Sequence, residues 1–287
     1  MSDFHLVTHL PPIPQRKRES HKGQFGRVLV VAGSADMSGA AILCGQAALR
    51  GGAGLVRVAV PAPIRPLVAA ANPCYMTAAL PATEAGQLSR TAIPLLKELM
   101  AWADVIAFGP GLGVHADVEE VLAMVLQENK AVVIDADGLT ALAQLAKKQP
   151  KWQTRATLIL TPHPGEAARL HPEPVPDRTT LARTLADRYQ AVVVLKGWES
   201  IVTDGARVYV NPSGNPGMAT GGTGDVLTGL IAGLWGQPMA AFDAAQLATH
   251  LHGVAGDLAA DKHSELALIA SDLLTYFCQA VRHHPGG

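Results

Sequence analysis

Charge is scarce in this chain of 287 residues. Charged residues make up only 16%, and 23 Lys and Arg against 24 Asp and Glu leave a formal net charge of −1. A broad basic footprint for nucleic acid or anionic lipid is therefore missing, and any phosphate ligand has to be gripped locally. Cysteine is scarce too. Cys44, Cys74 and Cys278 are an odd number without C-x-x-C spacing, which argues against a disulfide framework and against a cysteine zinc site. No uninterrupted apolar run reaches the ~18 residues that suggest a membrane span. The stretch Met1–Ser20 is polar and broken by Pro11, Pro12 and Pro14, so it has no apolar signal-peptide core. Fixed-period repeats and low-complexity tracts are also absent. A soluble protein in a reducing, cytoplasmic setting, without nucleic-acid or membrane partners, is expected.

What is present is apolar. Hydrophobic residues make up 48% and mean hydropathy is +0.19, so the chain has the means to bury a sizeable core and is not mainly disordered. Compact β-branched runs alternate with Gly/Pro/Asp-rich turns and Ala/Leu-rich segments at helical spacing, the pattern of an α/β sheet with parallel strands. Strands are expected at Arg27–Ala32, Leu55–Val60, Val105–Phe108, Val132–Asp135, Thr157–Leu160 and Ala191–Leu195. Helices are expected at Gly39–Arg50, Val118–Gln127, Leu139–Ala146, Thr179–Gln190, Gly224–Trp235, Ala241–Ala260 and Leu266–Val281, the last two wrapping the sheet's far edge. Asp204-Gly205 between the apolar pairs Ile201–Val202 and Val208–Val210 marks a hairpin. The economical division is a leader over 1–21 and one domain over 22–287. Pro172, Pro174 and Pro176 make His171–Asp177 a stiff connection, either bordering the site or a plain surface loop.

In open α/β sheets ligands bind beyond the carboxyl ends of the strands. Five such ends carry clusters here: Gly33-Ser34, Gly109-Pro110-Gly111-Leu112-Gly113, Asp135-Ala136-Asp137-Gly138, Thr161-Pro162-His163-Pro164-Gly165-Glu166, and Lys196-Gly197. The sharpest element is Asn215-Pro216-Gly217-Met218-Ala219-Thr220-Gly221-Gly222-Thr223-Gly224-Asp225, which runs straight into an apolar helix. Its glycines let consecutive N–H groups converge at a helix N-terminus, which makes an anion cradle. No Lys-Ser/Thr follows the glycines, so it is not a Walker A loop. Asp225 either stabilises the helix dipole or acts as a general base beside a phosphate. Asp135 and Asp137 either line the site or cap the helix from Leu139. His250 and His252 point to different faces of one helix, make a poor metal pair, and read as packing or substrate-remote residues.

These motifs, with Lys22-Gly23-x-Phe25-Gly26 and Val30-Val31-Ala32-Gly33-Ser34 before them, occur in an order that resembles the ADP/ATP-dependent NAD(P)H-hydrate dehydratases of the ribokinase-like superfamily, over roughly Lys22 to Val281. The resemblance implies a three-layer α/β/α sandwich with a mostly parallel central sheet. It implies dehydration of the S epimer of hydrated NADH or NADPH, using ADP or ATP as co-substrate with Mg²⁺ and releasing AMP or ADP and phosphate. Phosphoryl transfer to the C6 hydroxyl would turn a poor leaving group into a good one. Asp225 would be the base, and backbone N–H groups of Gly222, Thr223 and Gly224 would hold the moving phosphoryl group. Ala40, Gly113, His163 and Asp225 would contact the hydrated nucleotide. Lys196, Gly197, Trp198, Glu199, Ser200 and Gly224 would hold the adenine nucleotide, with Lys196 alternatively a rim charge. Glu166 takes the place of the superfamily's Asn-x-x-Glu carboxylate, an indirect Mg²⁺ organiser, while His163 replaces that Asn. Most bifunctional members carry an epimerase domain. The resemblance here is to a stand-alone form that assembles as a homotetramer and relies on a separate epimerase. A kinase of a small hydroxymethyl compound and a non-catalytic nucleotide sensor are the alternatives.

Overall fold

Buried on both faces, a parallel strand must be apolar at every position, and the runs around Val28, Val105, Val132 and Val192 are. In the computed structural model, which describes residues 4–149 and 152–284, they pair side by side. Residues 1–3 of the expected leader, and 150–151 and 285–287 of the expected domain, lie outside the described residues.

The described elements run β1 (His5–Leu6), β2 (Arg27–Val31), α1 (Ser38–Arg50), β3 (Leu55–Pro61), α2 (Arg65–Ala71), β4 (Met76–Leu80), α3 (Ile93–Trp102), β5 (Val105–Phe108), α4 (Ala116–Leu126), β6 (Ala131–Ile134) and α5 (Asp137–Lys148). They continue with β7 (Thr157–Leu160), α6 (Pro164–Leu170), α7 (Arg178–Tyr189), β8 (Ala191–Leu195), β9 (Ile201–Thr203), β10 (Arg207–Val210), α8 (Thr223–Trp235), α9 (Ala241–His263) and α10 (Ala270–His283). The sheet order is β1-β10-β9-β8-β7-β6-β5-β2-β3-β4. Between the sheet's strands, only the β8–β9 and β9–β10 pairings among the described residues are antiparallel, and β9–β10 is the expected hairpin. The chain moves outward from β2 through β3 to β4, then returns to place β5 on β2's other side. That reversal opens a crevice at the strands' carboxyl ends.

Alternate residues of each strand feed two cores. Val28, Val30, Val105, Ala107 and Val194 pack with α1, α8, α9 and α10. Leu29, Val31, Ile106, Phe108 and Val193 pack with α3, α4, α5 and α7. The result is the three-layer sandwich. Among the described residues no helix is long and apolar enough to cross a membrane.

Several elements differ from the sequence expectation. Strand β4 was not expected, because an edge strand of half-exposed residues carries little apolar pattern. Helices α2, α3 and α6 were also not expected; each carries a proline, Pro66, Pro94 or Pro164, at a first-turn position that tolerates it. The expected helix from Leu266 starts only at Ala270, after a turn of 3₁₀ helix at Glu265–Ala267. The last two helices do not wrap a sheet edge: α9 lies over β7, β8 and β9, and α10 packs on α9, α1 and α8. Ahead of Lys22, His5–Leu6 pairs with β10 and Val7 is buried.

Helices α1 and α8 approach closely because glycines face the partner backbone. A Cβ on Gly229 would lie 2.2 Å from the Cys44 carbonyl, and one on Gly233 would lie 2.4 Å from that of Ala48. This contact fixes where the N-terminus of α8 points.

Candidate active site

The candidate anion cradle lies at the start of α8. Gly222 is the N-cap residue, with φ +95°, and a Cβ there would sit 2.6 Å from Leu43 Cδ1, so a side chain is excluded on two grounds. Thr223 Oγ1 donates to the carbonyls of Met218 and Thr220, both at 3.1 Å, and closes the loop on itself. Helix α9 straps it from outside. The Asp257 carboxylate accepts from Gly214 N–H at 2.9 Å and from Asn215 Nδ2 at 3.0 Å, and Asn215 Oδ1 in turn accepts from Gly217 N–H at 3.0 Å. His252 Nε2 lies 3.0 Å from the Thr223 carbonyl and so must carry the proton of that hydrogen bond. Burial, offset in part by that bond, lowers the pKa of His252 to about 4, and the ring stays neutral. His252 thus packs on the end of α8 from α9.

Asp225 stands in the first turn of α8, half-buried, and its carboxylate makes no hydrogen bond among the described residues. Burial pushes its pKa up to about 7; Asp135, Asp137 and Glu166 add to the rise, and Lys196 opposes it. A carboxylate titrating near neutrality is matched to general-base work.

Asp135 resolves the choice left open for it. It follows β6, is 1% exposed, and caps nothing. Its Oδ1 accepts from Lys196 Nζ at 2.6 Å and its Oδ2 from Thr228 Oγ1 at 2.7 Å. Asp137 lies in the first turn of α5, where its Oδ2 accepts from Gly113 N–H at 2.8 Å. Burial raises its pKa against that hydrogen bond. Lys196 also lies 3.8 Å from Glu166 Oε2.

The crevice has two sides. On the β2–β5 side, Ala40 in the first turn of α1 faces Gly111, whose absent Cβ would come 2.9 Å from that of Ala40, and buried Gly113 follows. On the β7–β8 side, His163 caps α6 with Nδ1, accepting from Gly165 N–H at 3.0 Å, while its own N–H donates to Glu166 Oε2 at 2.8 Å. Glu166 is thus buried in a capping box, with its charge toward Lys196. Gly197, Trp198 and Glu199 form an exposed loop after β8, Trp198 being 83% exposed. Ser200 Oγ closes the loop by donating to Gly197 O at 2.9 Å. Arg178, at the start of α7, donates to the carbonyls of Trp198, Leu195 and Lys196. The Pro-rich connection therefore ends on a residue that supports this loop.

Three residues that support the site lie outside the sequence reading: Thr228, Arg178 and Asp257. Only Thr228 had a signal, as a polar residue three after Asp225 on one face of an otherwise apolar helix.

The model of the NAD(P)H-hydrate dehydratase family matches residues 28–278. A bifunctional NAD(P)H-hydrate repair enzyme from Moorella thermoacetica is 44% identical over 94% of this chain, which spans about half (52%) of that relative. An ADP-dependent (S)-NAD(P)H-hydrate dehydratase from Listeria monocytogenes is 38% identical over 92% of each chain. A solved ADP/ATP-dependent NAD(P)H-hydrate dehydratase from Bacillus subtilis, co-crystallised with ATP and Mg²⁺, superposes with a TM-score of 0.80 at 32% identity over 94% of each chain. With the glycine cradle, its aspartate and the strand-end clusters assembled on one ribokinase-like sheet, and with these matches spanning them, the chain belongs to the NAD(P)H-hydrate dehydratase family.

Proposed function

We propose that the chain dehydrates the S epimer of hydrated NADH or NADPH, with ADP or ATP as phosphoryl donor, and so restores the reduced cofactor. The observation that carries this reading is Asp225. A carboxylate with a pKa near 7 stands in the first turn of the helix whose N-terminal N–H groups form the anion cradle. A site that only bound phosphate would gain nothing from it.

The hydrate's C6 hydroxyl, placed against Asp225, gives up its proton to the carboxylate as its oxygen attacks the donor's terminal phosphorus. The bond from that phosphorus to the donor's bridging oxygen breaks as the new P–O bond forms, with the charge spread over oxygens that face backbone N–H groups of Gly222, Thr223 and Gly224. The ring nitrogen's lone pair then expels phosphate, leaving an iminium at C6, and loss of a C5 proton to the departing phosphate restores the dihydropyridine. Ala40, Gly113 and His163 border the nicotinamide side of the crevice, and the loop Lys196–Ser200 with Gly224 borders the adenine nucleotide. Among the described residues no group of three His, Cys, Asp or Glu side chains could cage a metal. Mg²⁺ keeps several of its waters and binds through substrate phosphates with one or two carboxylates, and Glu166, buried with its charge toward Lys196, would organise it indirectly. The ion supplies neutralisation of phosphate charge. A homotetramer in the cytoplasm, supplied by a separate epimerase, completes the reading. Exposed Leu67 of α2 and Met76 of β4, at the free sheet edge, support an interface there.

The test mixes purified protein with chemically hydrated NADH, Mg²⁺ and either ADP or ATP. Nucleotide-dependent return of reduced-nicotinamide absorbance with release of phosphate is expected. Nucleotide turnover without that return would make the protein a small-molecule kinase, and binding without turnover a sensor.

A further inference from the structure

Lys196 begins the stretch that the family resemblance gives to the adenine nucleotide, yet its side chain leaves that loop. Gly197, Trp198 and Glu199 are exposed, whereas the ammonium turns inward to Asp135 Oδ1 at 2.6 Å and lies within 3.8 Å of Glu166. A Cβ on Gly224 would be 3.3 Å from Nζ and 3.6 Å from Asp135 Oδ2, so the ion pair sits directly beneath the first turn of α8.

That is an uncomfortable place for a cation. The N-terminus of a helix carries about half a positive charge, and withdrawal from water penalises an ammonium further. Asp135 offsets both costs while the cradle is empty. Once a phosphate enters the cradle, the same ammonium and helix end act in concert on it. An adenine ring, which is neutral, offers nothing that would repay this placement.

We propose that Lys196 contacts the phosphoryl group being transferred rather than the adenine, and that Asp135 is the positioning residue that holds it there, its own second oxygen fixed by Thr228. The proposal rests on the dehydratase reading of the same site. Lys196 keeps its proton throughout: burial opposes its charge, but Asp135, Glu166 and Asp225 outweigh burial and hold the pKa above the ordinary lysine value. It therefore acts as a fixed charge, and Asp225 remains the group that takes the hydroxyl proton.

The groups facing Asp225 make the idea readable in pH. Asp135 at the end of β6, Asp137 on α5, Glu166 on α6 and Lys196 after β8 all act on it. The buried thiol of Cys44 on α1 and the ring of His252 on α9 are neutral, the thiol because burial, then Asp225 and Asp135, push its pKa up. Removing the lysine charge raises the pKa of Asp225; removing the Asp135 charge lowers it.

The experiment compares the intact wild-type chain with Lys196→Met, Asp135→Asn and the double variant, which leaves no unpaired buried charge and serves where a single variant misfolds. ADP and AMP binding are measured by calorimetry, and the pH profile of kcat/KM by the recovery assay. Lys196→Met is expected to weaken ADP binding by about 10-fold or more, a typical loss for a desolvated charge contact, with AMP affinity within about 2-fold of wild type. Its acidic limb is expected to move to higher pH and that of Asp135→Asn to lower pH. Equal losses for AMP and ADP would place Lys196 on a part that both nucleotides share, the α-phosphate or the adenosine, and overturn the proposal, as would an unchanged ADP affinity. An ADP-specific loss in a wild-type background that fails to restore NADH would uphold the lysine assignment while sinking the dehydratase reading.

Discussion

Asp225→Asn should make the protein more stable in alkali while removing its activity, and the size of the gain follows from the site. In the folded chain the carboxyl titrates at about 7, chiefly through burial and then through Asp135, against an ordinary value of 3.8. Between those values the folded state keeps a proton that the unfolded chain has given up. Folding stability therefore falls as pH rises through this window, and the loss is complete above about pH 7. Three pH units at about 1.4 kcal/mol each set an upper bound of about 4 kcal/mol. Because Asp225 is only half-buried, solvent screening brings the expected figure to about 2–3 kcal/mol. Asparagine keeps the shape and cannot ionise. The stability difference between Asp225→Asn and wild type should thus grow by that amount from pH 4 to pH 8. Urea unfolding followed by circular dichroism, without nucleotide or phosphate, measures it. A difference that stays constant across the range would show that Asp225 ionises freely in the folded protein and would remove the pKa argument for its role as base. The same variant should lose at least ~10²-fold in kcat.

His252 works in the opposite direction: its folded pKa of about 4 lies below the ordinary 6.5, so it contributes about 3 kcal/mol that is present above pH 6.5 and lost as pH falls toward 4. In wild type this slope and that of Asp225 offset each other between pH 4 and 6.5, and Asp225→Asn should expose the histidine slope in the same urea series, while His252→Gln should abolish it. Gly229→Ala places a Cβ 2.2 Å from the Cys44 carbonyl and should cost about 2–3 kcal/mol as α1 and α8 separate, read as a fall in Tm. Asp257→Ala removes acceptors for Gly214 N–H and Asn215 and should cost about 1–3 kcal/mol, with kcat falling more than the AMP dissociation constant rises, since what loosens is the cradle.

The architecture was legible wherever burial imposed a pattern. Strands β2, β5, β6 and β8 are apolar at nearly every position because helices cover both faces, and no other element produces such short β-branched runs. Strand β4, open on one edge, had no such constraint and stayed hidden. The same division holds within the site. The roles proposed for Gly222, Thr223, Gly224 and Asp225 rest on backbone angles and helix position, which are local, so they show in the sequence itself. The pairings of Asp135 with Lys196, 61 residues away, and with Thr228, 93 away, exist only because β6, β8 and α8 converge. No spacing rule connects them.

Those long-range pairings carry a requirement that the motif alone does not meet. A glycine-rich loop is flexible by composition, whereas catalysis by oriented N–H groups needs donors that do not reorganise when charge develops. The chain meets the need from three directions. Gly229 and Gly233 let α1 set the axis of α8 from one side, Asp257 and neutral His252 hold the loop from α9, and the Asp135–Lys196–Thr228 contact ties the helix's first turns to the strand ends. Only the last of these contains an ion pair. The cradle can therefore keep its shape as phosphate arrives and leaves, while its electrostatics respond through one lysine and one aspartate.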